Sequence, residues 1–128
     1  MKFTVDRAVL LKALAHVQGV VERRNTIPIL ANVLLDAGKA EGGGSLRLTA
    51  TDMEIAIVEE VAGVEVAREG RCTAPAATLL EIVRKLPDGQ KVELDHRGGD
   101  APLALRAGRY STGLMVLPVE DFPSMTEG

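Results

Sequence analysis

Polar and apolar residues alternate from Lys2 to Val5, the period of a half-buried strand. From Asp6 the period lengthens. Leu10, Leu14, Val17 and Val21 recur at spacings of four, three and four, with Leu11 beside them, which makes one apolar helix stripe. Asp6 is placed to cap this helix, its carboxylate accepting from the free N–H groups of the first turn. Lys12, Ala15, His16 and Gly19 fall on the opposite side. The helix leads into a basic loop, Glu22-Arg23-Arg24-Asn25-Thr26-Ile27-Pro28-Ile29-Leu30. There Pro28 excludes helix and biases Ile27 toward extended geometry.

Strands follow over 31–37, 45–49, 55–61 and 71–74, with turns at Gly42-Gly43-Gly44 and Thr51-Asp52. Pro75 then opens a second helix over 76–86. Its stripe is Leu79, Ile82, Val83 and Leu86, and Ala77, Glu81, Arg84 and Lys85 remain for the outer side. Pro87-Asp88-Gly89 ends it, and strands are predicted at 91–95, 103–106 and 110–117. The order is strand, helix and three strands, given twice. Val33-Leu34-Leu35-Asp36 precedes Leu46-Arg47-Leu48 by a turn, as Val92-Glu93-Leu94-Asp95 precedes Leu103-Ala104-Leu105. This reads as an internal duplication of about 60 residues. It predicts an α+β fold with two helices side by side on one face of a mostly antiparallel sheet.

With 128 residues and 46% hydrophobic content, the chain suits one domain with a core of its own. That core must be aliphatic, because the aromatics are Phe3, Tyr110 and Phe122 alone. Stacking of bases on aromatic rings is thereby a poor candidate for function. A single cysteine, Cys72, excludes an intramolecular disulfide and fits a reduced, cytoplasmic setting. No apolar run is long enough for a membrane span, and the N-terminus has no signal-peptide pattern. Charge changes the picture more. The chain is acidic, at net −3, yet segments 6–24 and 76–87 carry +2 and +1, leaving −6 for the rest. Two such helices on one face suit a sequence-independent contact with phosphates, and equally suit a solvated surface.

Candidates for catalysis are sparse. Asp52 and Glu54 share a strand face but have no His, third carboxylate or phosphate loop beside them. Asp36 and Asp95 each close a predicted strand. His16 and His96 read as surface residues, and nothing has the spacing of a metal site. Gly42-Gly43-Gly44-Ser45 leads into a strand and matches no nucleotide-binding loop. Cys72 reads as a small buried hydrophobe. The catalytic, metal and cofactor sites expected are none. At Arg23 and Arg24, two readings stand: favourable cations at a helix C-terminus, or contacts to phosphate.

Several motifs, in order, resemble the bacterial DNA polymerase III beta subunit family, the sliding clamps. They are Met1-Lys2-Phe3-Thr4-Val5, the run Thr26-Ile27-Pro28-Ile29-Leu30-Ala31-Asn32-Val33-Leu34-Leu35, and Leu48-Thr49-Ala50-Thr51-Asp52-Met53-Glu54. Leu86-Pro87-Asp88-Gly89 and Leu117-Pro118-Val119-Glu120-Asp121-Phe122-Pro123 complete the series. The resemblance implies the DNA-clamp fold, a duplicated βαβββ unit, with residues 1–123 as the first of three similar domains and 124–128 as the start of an interdomain linker. It implies a non-catalytic ring of two protomers around duplex DNA, which makes the replicative polymerase processive.

By the same resemblance, Arg24 corresponds to a loop arginine that touches DNA, with Arg84, Lys12 and Arg23 as further DNA-facing residues. Thr112, Leu114 and Thr78 are assigned to the contact between protomers. This chain departs from the family pattern after Pro75-Ala76, where Ala77 and Thr78 stand in place of a basic pair, and at Thr112, where some members have an aromatic. The implied partners are duplex DNA, a second protomer and, through domains absent here, polymerase III subunits and the clamp loader. The alternative is a protein–protein interaction module that uses a sheet edge.

Overall fold

The computed structural model describes residues 1–18, 28–40, 43–52 and 55–122. Strand β1 (Lys2–Asp6) runs directly into helix α1 (Arg7–Gln18). A short 3-10 turn (Pro28–Ala31) then leads to β2 (Asn32–Ala40), β3 (Gly43–Thr51) and β4 (Ala56–Arg68). The second unit repeats the order: β5 (Gly70–Pro75), α2 (Ala76–Lys85), β6 (Lys91–Asp95), β7 (Leu103–Ala107) and β8 (Tyr110–Leu114), closed by a 3-10 turn at Val119–Asp121. The βαβββ order read from the sequence is thus present twice.

The strands lie in the order β5-β2-β3-β4-β1-β6-β7-β8, antiparallel at each pairing. Each unit gives its first strand to the other. β1 pairs along its whole length with β6 of the second unit, and β5 pairs with β2 of the first. The two halves are interlocked: β5 leaves its own unit, and β1 bridges β4 of its own unit and β6 of the second.

β4 makes the link. Its residues 56–64 pair with β3, whereas 65–68 pair with β1. The sequence pattern ends this strand at Val61, but Gly63 is the extra residue of a bulge, at φ +75, where the register passes from Ser45↔Ala62 to Gly44↔Val64. Gly44 is also not part of a turn, as expected from the sequence, but lies in β3. A Cβ there would collide with the Val64 carbonyl oxygen.

At the corresponding place in the second unit, β8 ends at Leu114, not at Leu117. The chain beyond it is fastened to β5 by one side chain. The Thr73 hydroxyl donates to Leu117 C=O (2.8 Å) and accepts from Leu117 N–H (2.9 Å) and from Asn32 Nδ2 (3.1 Å). One donor and two acceptor positions are all a hydroxyl has, so this buried group is fully satisfied.

The core between helices and sheet is aliphatic apart from Phe3. Leu10, Leu14 and Val17 of α1 and Leu79 and Val83 of α2 meet Leu35, Leu46, Leu48, Leu94, Leu103 and Leu105 from the strands, each at most 1% exposed. The two helix stripes face inward, with two differences on α2: Ile82 is only half-buried and Leu80 is buried as well; Val21 lies outside the described residues. A smaller cluster joins Ile29, Leu30 and Phe122, flanked by Leu34 and Leu117. Two of the sequence motifs that carry the family resemblance, one ending the basic loop and one ending the domain, are packed together there.

Local expectations differ in two further places. Asp6 is the last residue of β1, paired with Lys91, and its carboxylate makes no capping bond among the described residues. The first N–H of α1, on Arg7, donates instead to Gln90 C=O at 2.9 Å. Asp36 lies in the middle of β2, which runs on to Ala40.

Replacing Thr73 by Val keeps the shape but leaves Leu117 N–H and Asn32 Nδ2 without their acceptor. Urea denaturation should show a loss of about 2–3 kcal/mol. An unchanged midpoint would mean that this hydroxyl does not fasten the end of β8 to β5.

Candidate nucleic-acid interface

The two helices pack against each other over the shared core and turn their remaining sides to solvent. α1 has Arg7 and Lys12 and no acidic residue. α2 has Arg84 and Lys85 against Glu81. The helical pair therefore carries a net +3 on a chain of net −3.

These cations are not equivalent. Arg7 is mostly buried and serves the structure. Its Nε donates to Val83 C=O at 3.0 Å, one terminal nitrogen to Arg84 C=O at 2.8 Å and the other to Asp88 Oδ1 at 2.8 Å. Val83 and Arg84 are among the last residues of α2, where carbonyls collect partial negative charge; Val83 C=O also accepts from Leu86 N–H at 3.2 Å. A guanidinium from the start of α1 thus caps the end of α2. Arg84 is exposed but paired with Glu81 one turn back, at 2.6 Å. Lys12 and Lys85 are exposed and make no ion pair among the described residues. His16, also exposed on α1, bonds to the Glu59 carboxylate of β4. Arg23 and Arg24 lie outside the described residues.

The residues assigned to a protomer contact separate in the same way. Thr78 is exposed on α2 and lines a groove of about 430 Å³ with Ala77, Glu81, Ile82, Lys85 and Tyr110. Thr112 is half-buried in β8, opposite Leu105. Leu114 turns into the core at 4% exposure, so its apolar character serves packing within the domain. The more prominent apolar side chain of β8 is Tyr110, at 45% exposure.

Asp52 Oδ1 accepts from Ile55 N–H at 2.9 Å, holding the turn between β3 and β4, and Glu54 lies outside the described residues. Among the described residues no group of three His, Cys, Asp or Glu side chains is placed to hold a metal, and no helix is long and apolar enough to cross a membrane.

Residues 1–126 match the family described as DNA polymerase III beta subunit, N-terminal domain. The chain belongs to this family. It is 54% identical to the beta sliding clamp of Caulobacter vibrioides over 98% of its length, and 39% identical to that of Escherichia coli over 99%. Its fold superposes on the crystal structure of the Caulobacter crescentus beta sliding clamp with a TM-score of 0.89, covering 99% of this chain and 32% of that one. A sliding clamp from Bartonella birtlesii, crystallised with griselimycin, gives 0.90 at 41% identity, with 100% of this chain and 32% of that one covered. The chain spans about a third of the length of the relatives it matches.

Within this beta-subunit domain, two side chains have roles that the sequence did not reveal. Arg7 reads as one more surface charge on a positive helix, because the α2 carbonyls that claim it are 76 residues away. His96 reads as a surface residue at a strand end, yet it is 8% exposed. Its backbone N–H donates to Met1 C=O at 2.8 Å, and its own carbonyl accepts from the Met1 ammonium at 3.0 Å. No periodicity marks such a contact between the chain start and a strand end. Cys72 is buried in β5 as expected, and burial pushes its thiol up to about 11.

Two outcomes follow. Arg7→Ala leaves the end of α2 without its cation and should cost about 2–4 kcal/mol in denaturant unfolding. Arg7→Lys should recover less than half, since an ammonium lacks the planar fork that reaches three acceptors. For Cys72, folded and unfolded chains both keep the proton below pH 9, so stability is fully present there. Between pH 9 and about 11 only the unfolded thiol ionises, and stability falls by up to about 2 kcal/mol. Cys72→Ala should remove that part of the alkaline decline, and an identical decline in both proteins would contradict it.

Proposed function

We propose that residues 1–123 form the first domain of a longer clamp protein that encircles duplex DNA and holds a replicative polymerase to it, with 124–128 beginning the connection onward. The observation that carries this reading is the paired helix surface: α1 without an acidic residue, beside α2, with Lys12, Arg84 and Lys85 turned to solvent. Family membership and the names of the relatives support it.

The role is binding, not catalysis, and its setting is the cytoplasm. DNA contact falls to Lys12 and Arg84 on the helices and to Arg23 and Arg24 on the loop that follows α1. A surface of few, partly paired cations suits sliding, because weak and sequence-blind attraction to phosphate lets the duplex move. Ala77 and Thr78 add no charge at the start of α2, which leaves more of the contact to Arg24.

Ring closure falls to the ends of the domain. Among the described residues β8 is paired only with β7, and residues 56–64 of β4 only with β3. The duplication relates these two open edges, so each domain has two similar ends with which to meet neighbours. Thr78, Thr112 and Leu114 belong to the β8 end, where Leu114 supports the edge from inside. Polymerase subunits and the clamp loader are partners of the longer protein.

DNA affinity of the longer protein, measured against salt, tests the electrostatic contact. For three neutralised phosphates, log K should fall against log salt with a slope of about −2.7, or roughly −0.9 for each phosphate. Arg24→Ala should lower affinity and reduce the slope by about one such step. A slope unchanged by the substitution would remove Arg24 from the interface.

A further inference from the structure

His16 follows Lys12 by four residues, so it lies one turn on and about 40° round α1, on the same solvent side. Its imidazole is exposed. Nδ1 bonds to a Glu59 carboxylate oxygen on β4, and Nε2 has no partner among the described residues. We infer that His16 is a further phosphate contact of the helix surface, oriented by Glu59 and carrying a proton when DNA is bound. The inference rests on the proposed DNA contact of Lys12 and Arg84.

The surroundings of His16 are simple. Glu59 lies between Ile57 and Val61 on the helix side of β4, by the strand period of two. Glu60 points to the other face and pairs with Arg47 at 2.9 Å, and Glu65 is exposed between the buried Val64 and Val66. β3 and β1 turn Leu46, Leu48, Phe3 and Val5 toward the helices, with Lys2 on the far face beside Glu93 at 3.5 Å. Asp6 precedes the first turn, at the opposite end of α1. Arg7 stands nine residues before His16, about half a turn round the helix, and it reaches α2. Glu81, Arg84 and Lys85 of α2 therefore lie off the opposite flank. Among the described residues, the charges that face His16 are Lys12 and Glu59.

This pair changes the helix surface by one charge. With His16 neutral, the Glu59 carboxylate has no cation paired to it among the described residues and repels a phosphate. A proton on His16 cancels that charge, and Nε2–H becomes a donor on the ring edge away from Glu59. Histidine is the side chain that changes charge between about pH 5 and 8. A phosphate close to it favours the charged form. DNA binding therefore takes up a proton at His16, and by linkage the affinity rises as pH falls.

The test measures affinity of the longer protein for duplex DNA at pH 6 and pH 8, intact and as His16→Gln, so that titrations elsewhere cancel in the comparison. From pH 8 to pH 6 the intact protein should gain about three- to tenfold more affinity than His16→Gln does. Its salt slope should steepen by about 0.9 over the same interval, and that of His16→Gln should not. Glu59→Gln removes the repelling carboxylate and should raise affinity at pH 8 by about two- to threefold. A pair that only fastens α1 to β4 would lower the unfolding midpoint in both variants and leave the pH dependence of DNA binding the same as in the intact protein, which would overturn the inference. Lys12→Ala separates this result from failure of the underlying reading. If Lys12→Ala weakens binding while His16→Gln does not alter its pH dependence, the role of His16 alone falls. If Lys12→Ala leaves affinity and salt slope unchanged, the helix surface is not the DNA contact and both fall.

Discussion

The exchange of first strands between the two halves is the constraint on which the rest depends. β1 lies between β4 of its own unit and β6 of the second, and β5 joins β2 of the first, so each α-helix follows a strand that is hydrogen-bonded to the other unit. Both helices then have to lie over the same core. Arg7 secures the arrangement from one end, because it leaves β1 and immediately reaches the final carbonyls of α2. Long-range pairing of this kind carries a large loop-closure cost, offset only when all strands are in place, and it favours all-or-none folding.

The same exchange explains the uneven edges of the sheet. In the first unit β4 is long enough to pair with β3 and then with β1, at the cost of a bulge at Gly63. In the second unit β8 stops short, and two bonds from the Thr73 hydroxyl to Leu117 stand in for a backbone ladder. Both solutions close the domain around its core and still leave one stretch of strand open at each end.

Much of this was legible in the sequence. Period-two and period-3.6 patterns located eight strands and two helices, and the Leu10, Leu14, Val17 and Leu79, Val83 stripes are the buried ones. The length of β4 was not legible, because Gly63 in a bulge and Gly63 in a turn have the same local signature. Nor was the division of labour among cations. Lys12 and Arg7 lie on one short helix, and only the fold decides that Arg7 caps α2 while Lys12 faces solvent. His96 was misplaced for the same reason: burial of a polar residue by the chain start is a tertiary fact. The loop bearing Arg23 and Arg24 lies outside the described residues, so for those two the case rests on the sequence and the family resemblance.

The central claim is that DNA lies against the helices and away from the outer face of the sheet. Photo-cross-linking probes placed at Lys12 and Arg84, and separately at Arg47 and Arg106, test it directly in the longer protein assembled on duplex DNA. Arg47 and Arg106 are exposed between buried neighbours on β3 and β7, pointing away from the core. Cross-links from Lys12 and Arg84 with little or none from Arg47 and Arg106 are the expected result. Equal yields, or yields reversed in favour of the sheet positions, would contradict it.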